Sequence, residues 1–213
     1  MSRPFVAVIA DAGGSRQLAP PRRARLQRDL AGALAAFNRH RPWRAELAAR
    51  FAVTRGDEVE ALLRSPRLVW AATHELRRAV PDVDWVIAAG RGPVTTPLAP
   101  TALEVDGPCF HHARAALEAA KQERRVIAFR GFDADRALAG WAAYYSALYW
   151  SWTGRQRQAA HEFRVVDPAV WRARAAPRRV GPSALSHLRR RMAWPLVAAG
   201  DTMFRALLEG GAS

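Results

Sequence analysis

The chain has 213 residues, half of them hydrophobic, and a formal net charge of +14 at pH 7. This length and apolar content suit a folded core and exclude a wholly disordered chain. No apolar run is long enough to span a bilayer, and the N-terminus lacks the order of a secretory signal, so we expect a cytoplasmic protein with no membrane partner.

Side-chain composition narrows the candidate partners. The lone cysteine, Cys109, excludes an intramolecular disulfide and a cysteine-based zinc site. Lys121 is the only lysine, so arginine supplies nearly all of the positive charge. Guanidinium groups fork onto phosphates, which makes DNA or a nucleotide a candidate partner. A high-GC coding sequence also enriches arginine, so this bias alone does not identify the partner.

Hydrophobic periodicity predicts alternating strands and helices over roughly the first 130 residues. One predicted helix has its apolar face at Leu26, Leu30, Leu34 and Phe37, and Ser65 is expected to cap another. In chain order we predict a strand at 4–10, a helix at 21–39, strands at 48–54 and 58–63, a helix at 66–80, a strand at 83–90, a helix at 108–121 and a strand at 125–131. The first six follow the order β-α-β-β-α-β, which predicts an α+β, ferredoxin-like sheet.

Two aspartates are the candidate metal ligands. In this topology the first strand runs antiparallel beside the strand that begins at Glu58, so Asp11 and Asp57 should meet at one rim of the sheet. Two carboxylates beside the loop at 13–16 could hold Mg²⁺ against phosphate oxygens. Alternatively, Asp11 caps the next helix and Asp57 belongs to an ordinary Gly-Asp turn. Whether Glu58 joins the site is left open.

The C-terminal third is predicted to be helical. An aromatic-rich helix at 133–152 either packs the two parts of the chain together or forms a dimer face, so a homodimer is a candidate assembly. Helices at 155–166, 168–176 and 182–194 follow, with Pro195 expected to end the last. Three short helices of which the third carries arginines predict a helix-turn-helix. The candidate DNA-contacting side chains are Ser183, Ser186, His187, Arg190 and Arg191. The alternative is a solvated helix that closes the core.

The expected organisation is therefore an α+β domain at 1–132, a packing helix at 133–152 and a small all-α domain at 153–213. Three segments within the first domain have a familiar pattern: Val-Ile-Ala-Asp-Ala-Gly-Gly-Ser-Arg at 8–16, Phe-Ala-Val-Thr-Arg-Gly-Asp-Glu at 51–58, and the stretch at 106–121. Together they resemble the SatD family. The resemblance implies a degenerate class III nucleotide cyclase-like domain followed by a winged or sigma-factor-like helix-turn-helix.

The cyclase likeness is incomplete. Asp11 and Asp57 fall at the two metal-binding positions, but Val53 stands where cyclases read the purine with lysine. His111 and Ala115 replace the Asn-x-x-x-Arg pair, with Arg114 one residue away. We therefore expect no intact cyclase and assign no catalytic residue.

The residues that remain suit binding of a nucleotide or phosphorylated small molecule. The candidate phosphate ligands are Gly13, Gly14, Ser15, Arg16 and Arg114. In the C-terminal part, the resemblance covers 152–156 and 183–186, whereas Pro177 and the arginines that follow it depart from the family pattern. The sequence thus predicts a nucleotide- or metal-sensing, DNA-binding regulator. The alternative is a magnesium-dependent enzyme acting on a nucleotide or other phosphate ester.

Overall fold

The computed structural model describes residues 4–165 and 182–210. The strands are β1 Phe5–Gly13, β2 Leu47–Arg55, β3 Glu58–Leu63, β4 Asp84–Gly92 and β5 Ile127–Arg130. The helices are α1 Pro20–Arg39, α2 Arg41–Arg44, α3 Arg67–Ala79, α4 Pro108–Gln122, α5 Asp135–Ser151, α6 Gly154–Val165, α7 Pro182–Arg191 and α8 Trp194–Glu209. Two single 3₁₀ turns lie at Ser15–Gln17 and Ala102–Glu104.

The five strands form one sheet in the order β2-β3-β1-β4-β5. β1 runs antiparallel to both β3 and β4, β2 runs antiparallel to β3, and β5 runs parallel to β4. The first four strands with α1 and α3 therefore form a ferredoxin-like βαββαβ unit, and α4 with β5 extends it. This confirms the predicted α+β fold class.

The two faces of the sheet carry separate cores, because successive side chains along a strand point to opposite sides. Val6, Val8 and Ala10 face the layer that contains α1 and α3. Ala7 and Ile9 face α4. The predicted apolar face of α1, Leu26 to Phe37, is buried in the first core as expected.

Helix α4 lies unusually close to the sheet at Gly90. A Cβ atom on that residue would lie 2.2 Å from both the amide nitrogen of Ala113 and the carbonyl oxygen of Cys109. No other residue type fits this approach without moving the helix. The close packing sets the height at which the polar side chains of α4 meet the sheet.

The aromatic helix α5 packs into the same core as α1 and α3. The Trp141 ring stacks on Phe204 of α8 at 3.9 Å between centroids and meets the edge of Trp70 of α3 at 5.0 Å. Tyr144 and Trp150 are exposed on its outer side. Core packing is thus the observed role of α5, and the dimer face stays a prediction. Within residues 4–165 and 182–210, no helix is long and apolar enough to cross a membrane.

Two local predictions were wrong. Ser65 does not cap α3, because its hydroxyl donates to Glu46 Oε2 at 2.6 Å and the helix begins after Pro66 without a side-chain cap. Pro195 does not end a helix. α7 ends at Arg191, and Pro195 instead lies in the first turn of α8. Backbone N–H groups in the first turn have no acceptor within the helix, so a proline there costs no hydrogen bond.

The second helix of the predicted helix-turn-helix, at 168–176, lies outside the described residues, as do Pro177 and the arginines after it. The helices predicted on either side of this stretch are present as α6 and α7. Thr153 and Gln156 form a reciprocal cap at the start of α6: each backbone N–H bonds to the side chain of the other residue, at 2.9 and 3.3 Å.

Candidate metal and phosphate site

Asp11 and Asp57 are brought to the same rim of the sheet. Asp11 lies opposite Glu58 in the β1–β3 ladder, one residue from the β2–β3 turn that carries Asp57. Gly56 in that turn has a φ of +64°, a left-handed conformation that glycine adopts without strain. The Ser15 hydroxyl donates to Asp57 Oδ2. The predicted convergence of the two aspartates with the loop after β1 is therefore observed.

The charge of Asp11 acts on Asp57. Burial and the negative charge of Asp11 raise the pKa of Asp57 above its ordinary value, although Arg16 and Arg23 act in the opposite direction. Asp11 is held by Lys121 of α4, whose Nζ lies 3.0 Å from Asp11 Oδ1. A cation at this rim would relieve the repulsion that Asp57 experiences.

The donor set suits a sparsely coordinated magnesium ion. Mg²⁺ commonly binds through one or two carboxylates and fills its other positions with water or substrate phosphates. Asp11 and Asp57 supply that pair, and Lys121 would compete with the ion for Asp11. Among residues 4–165 and 182–210, no group of three or more His, Cys, Asp or Glu side chains is arranged to hold a metal. The metal site stays a prediction.

The glycine loop after β1 is shaped by close packing and by backbone conformation. A Cβ atom on Gly13 would lie 2.8 Å from the carbonyl oxygen of Asp84, so the chain passes tightly against β4. Gly14 has a φ of +74°. Ser15 is buried, whereas Arg16 is exposed near Asp57. Phosphate binding by this loop stays a prediction.

Arg114 is engaged within the protein. Its guanidinium forms two bonds to Glu58, at 2.5 and 2.7 Å, and a third to Glu60 Oε1 at 2.6 Å. The Glu58 and Glu60 side chains are only 8% and 12% exposed. A phosphate would therefore have to compete for Arg114 with two nearly buried carboxylates. Glu58, left open as a metal ligand, faces this arginine.

Sequence reasoning missed Glu60. The signal was present: glutamates at alternate positions of an otherwise apolar strand lie on one face, and α4 carries arginine and lysine seven residues apart, on one side of a helix. Burial and the charge of Glu58 raise the pKa of Glu60 to about 7, despite the charge of Arg114. At Glu58, burial is outweighed by the bonds from Arg114, and the pKa is lowered.

The candidate DNA-contacting residues all lie on α7. Ser183, Ser186, His187, Arg190 and Arg191 are each exposed. In the described ranges, no carboxylate forms an ion pair with either of these two arginines. Contact with DNA stays a prediction, but the side chains it requires are accessible.

Comparisons with known proteins place the described site inside a recognised family region. The sequence model of the SatD family matches residues 5–128, which include both aspartates and Arg114. Two solved structures of bacterial light-regulated adenylyl cyclases are similar over 59% of this chain, each at 14% identity. The alignments cover 74% and 42% of those chains, with TM-scores of 0.42 and 0.39. No curated protein sequence matches.

Proposed function

This chain belongs to the SatD family, and from that premise we propose that it is a DNA-binding regulator whose cyclase-like α+β domain responds to a divalent cation or a nucleotide. The observation that carries the proposal is the surface of α7. Arg190 and Arg191 are exposed there with no carboxylate partner in the described residues, beside the exposed hydroxyls of Ser183 and Ser186. A chain with a net charge of +14 also attracts a polyanion at long range.

The sensing half of the proposal rests on the Asp11–Asp57 rim. A cation that binds both carboxylates would repel the Lys121 ammonium and displace it from Asp11, and Lys121 lies near the C-terminal end of α4. Binding would thereby alter how α4 is held against the sheet. This exchange of the Lys121 ammonium for a bound cation is the event that would be transmitted to α7.

A continuous packed route leads from that sheet to α7. α4 packs against β5, and Ile127 and Phe129 of β5 share a core with α5. α5 in turn stacks Trp141 on Phe204 of α8, which follows α7 after a two-residue break. A shift of α5 could therefore reposition the α7 surface through α8.

DNA binding can be tested by fluorescence anisotropy with a labelled random-sequence duplex. We expect affinity to fall steeply between about 50 and about 200 mM salt, and an R190Q/R191Q double variant to bind more weakly with a log–log salt slope smaller by about 2. The matched control is R22Q/R28Q, which removes two exposed arginines from α1. Equal losses in both double variants, or binding indifferent to salt, would contradict a specific role for α7.

Cation sensing can be tested by calorimetric titration of Mg²⁺ with and without ATP or GTP. We expect D57N to weaken the binding, because it removes one of two carboxylate ligands, and K121M to strengthen it, because it removes a competing cation. If K121M leaves the affinity unchanged or lowers it, the proposed exchange at Asp11 is wrong.

A second candidate function is magnesium-dependent cleavage of a phosphate ester. The observation that favours it is the raised pKa of Asp57, caused by burial and by the charge of Asp11, because such perturbed carboxylates are common at active sites. This candidate function predicts that at least one nucleoside triphosphate releases phosphate or pyrophosphate in the presence of the protein. The D11N substitution should abolish that release. The absence of release across a nucleotide panel with Mg²⁺ would eliminate this candidate.

A further inference from the structure

A cavity lies on the side of the sheet away from Asp11. It has a volume of about 460 Å³ and is bordered by α1, α2, α3, α6 and α8. Phe37 and Trp70, which line it, belong to the core that covers Val6 and Val8, whereas Asp11 faces α4. The volume lies within the range of about 300 to 1,000 Å³ typical of small-molecule sites.

The inner wall of this cavity is aromatic and firmly held. Phe37 packs against Trp43 at 5.2 Å between ring centroids. Trp70 contacts His74 at 4.1 Å and is supported from behind by Trp141 and Phe204, at 5.0 and 4.7 Å. Phe37 and Trp70 are only 4% and 5% exposed, so the half-buried Trp43 offers the accessible aromatic surface, which favours a planar ligand.

A buried polar atom lies in the same wall. His74 is 1% exposed, and its Nδ1 lies 3.0 Å from Nδ1 of His161. Burial and nearby guanidinium charges hold the pKa of both rings well below the ordinary histidine value, so they form a neutral pair. Within the described part of the chain, Nε2 of His74 has no hydrogen-bond partner. A buried nitrogen without a partner is costly, and this one adds a single unpaired polar atom to the aromatic wall.

The charges around the cavity are mainly positive. Among the described residues, Arg67, Arg164 and Arg205 border it, against one carboxylate, Glu75, which is itself bound by Arg78 at 2.5 Å. Arg164 is buried and neutralised by Asp201 at 2.6 Å. The other two arginines are exposed at the mouth. Arg67 makes only a loose pair with Glu209 at 3.3 Å.

Arg205 has the most available guanidinium group at the mouth. Its Nε donates to the backbone oxygen of Asp201 at 3.3 Å, and no carboxylate pairs with it among residues 4–165 and 182–210. An anionic group entering the mouth would therefore find two arginines whose charges are little compensated. The aromatic wall and the cationic mouth together favour a ligand that has an apolar ring and an anionic group.

We propose that this cavity binds a small planar aromatic carboxylate, with its ring against Trp43 and its carboxylate at the mouth beside Arg67 and Arg205. The site goes beyond the proposed function, because it is a second ligand site on the opposite side of the sheet from the two aspartates. Bound there, the ligand would contact α3 and α8 at once. It would therefore act on α8, which contacts α7.

The probes are naphthalene-2-carboxylate, its uncharged carboxamide and acetate, measured by isothermal titration calorimetry on the full chain. We expect the carboxylate to bind, the carboxamide to bind about tenfold more weakly and acetate not to bind, because both the ring and the charge are needed. R205Q should reduce affinity for the carboxylate by about tenfold and leave that for the carboxamide unchanged. R28Q, which removes an exposed arginine remote from the cavity, should bind as the wild type does.

A blocking variant locates the site. Ala71 is exposed at the mouth on α3, so A71W should fill the entrance without disturbing the core and abolish binding of naphthalene-2-carboxylate. The control A24W places the same ring on an exposed position of α1 that does not border the cavity. D57N should bind the probe normally, which separates this site from the metal rim. Retained binding in A71W, equal binding of carboxylate and carboxamide, or no binding of either would overturn the proposal.

Discussion

Replacing Arg114 with glutamine should destabilise the protein strongly at pH 8 and much less at pH 5. The substitution leaves Glu58 and Glu60 with 8% and 12% exposed side chains and without their shared cation. Removing one partner of a buried ion pair costs about 3–5 kcal/mol. Because the Arg114 side chain is itself 36% exposed, solvent screens part of its interaction with the two glutamates. We therefore expect R114Q to lower the free energy of unfolding by about 3 kcal/mol at pH 8.

The pH dependence follows from the direction of the pKa shifts. Even beside Arg114, burial and Glu58 raise the pKa of Glu60 to about 7, from an ordinary value of 4.5. Without the arginine, the folded-state pKa of Glu60 should rise further, and that of Glu58 should rise from its lowered value. A carboxylate whose folded-state pKa is raised destabilises the fold as the pH increases from its unfolded-state pKa through its folded-state pKa. The R114Q penalty should therefore grow between about pH 5 and pH 8.

The assay is urea denaturation followed by circular dichroism at both pH values. R28Q, an exposed arginine on α1, serves as the control and should change the unfolding free energy by no more than about 0.5 kcal/mol. An R114Q/E58Q/E60Q triple variant should recover most of the loss, because no buried charge remains unpaired. A loss of equal size at both pH values, or below about 1 kcal/mol at pH 8, would refute the reasoning.

Two further substitutions test the same region by thermal and chemical unfolding. E60Q should stabilise the protein above pH 7 by up to about 3 kcal/mol. Ionisation of the folded-state Glu60 there costs about 1.4 kcal/mol for each unit by which its pKa has risen from 4.5 to about 7. The gain should vanish below about pH 4.5, and a gain of constant size at all pH values would contradict this prediction. G90A should lower the free energy of unfolding by about 1–3 kcal/mol, because the added Cβ would lie 2.2 Å from the α4 backbone. G140A, where nothing lies within 4 Å, should be neutral or stabilising by up to about 1 kcal/mol, and similar effects of the two glycine substitutions would contradict the close approach of α4.

Proline and serine positions show where local sequence patterns mislead. Pro195 is compatible both with the end of one helix and with the first turn of the next, and the sequence pattern favoured the first. The structure has the second, so α8 was missed and with it the Phe204 contact to α5. Ser65 could have capped α3, but Glu46, far away in the sequence, accepts its hydroxyl instead. Both outcomes depend on neighbours that local patterns do not include.

The alignment of Asp11 with the β2–β3 turn was predictable, because the order of strands and helices in a βαββαβ unit determines which strands are neighbours. The apolar faces of the helices and the span of β3 were predictable for a similar reason: a side chain's burial follows the period of its own element. The partners of the charged groups were not. Lys121 meets Asp11, and Arg114 meets Glu58, only because α4 packs onto the sheet at the height that Gly90 allows. Periodicity tells which side of an element faces inward, whereas distances between side chains on different elements are decided by how those elements pack.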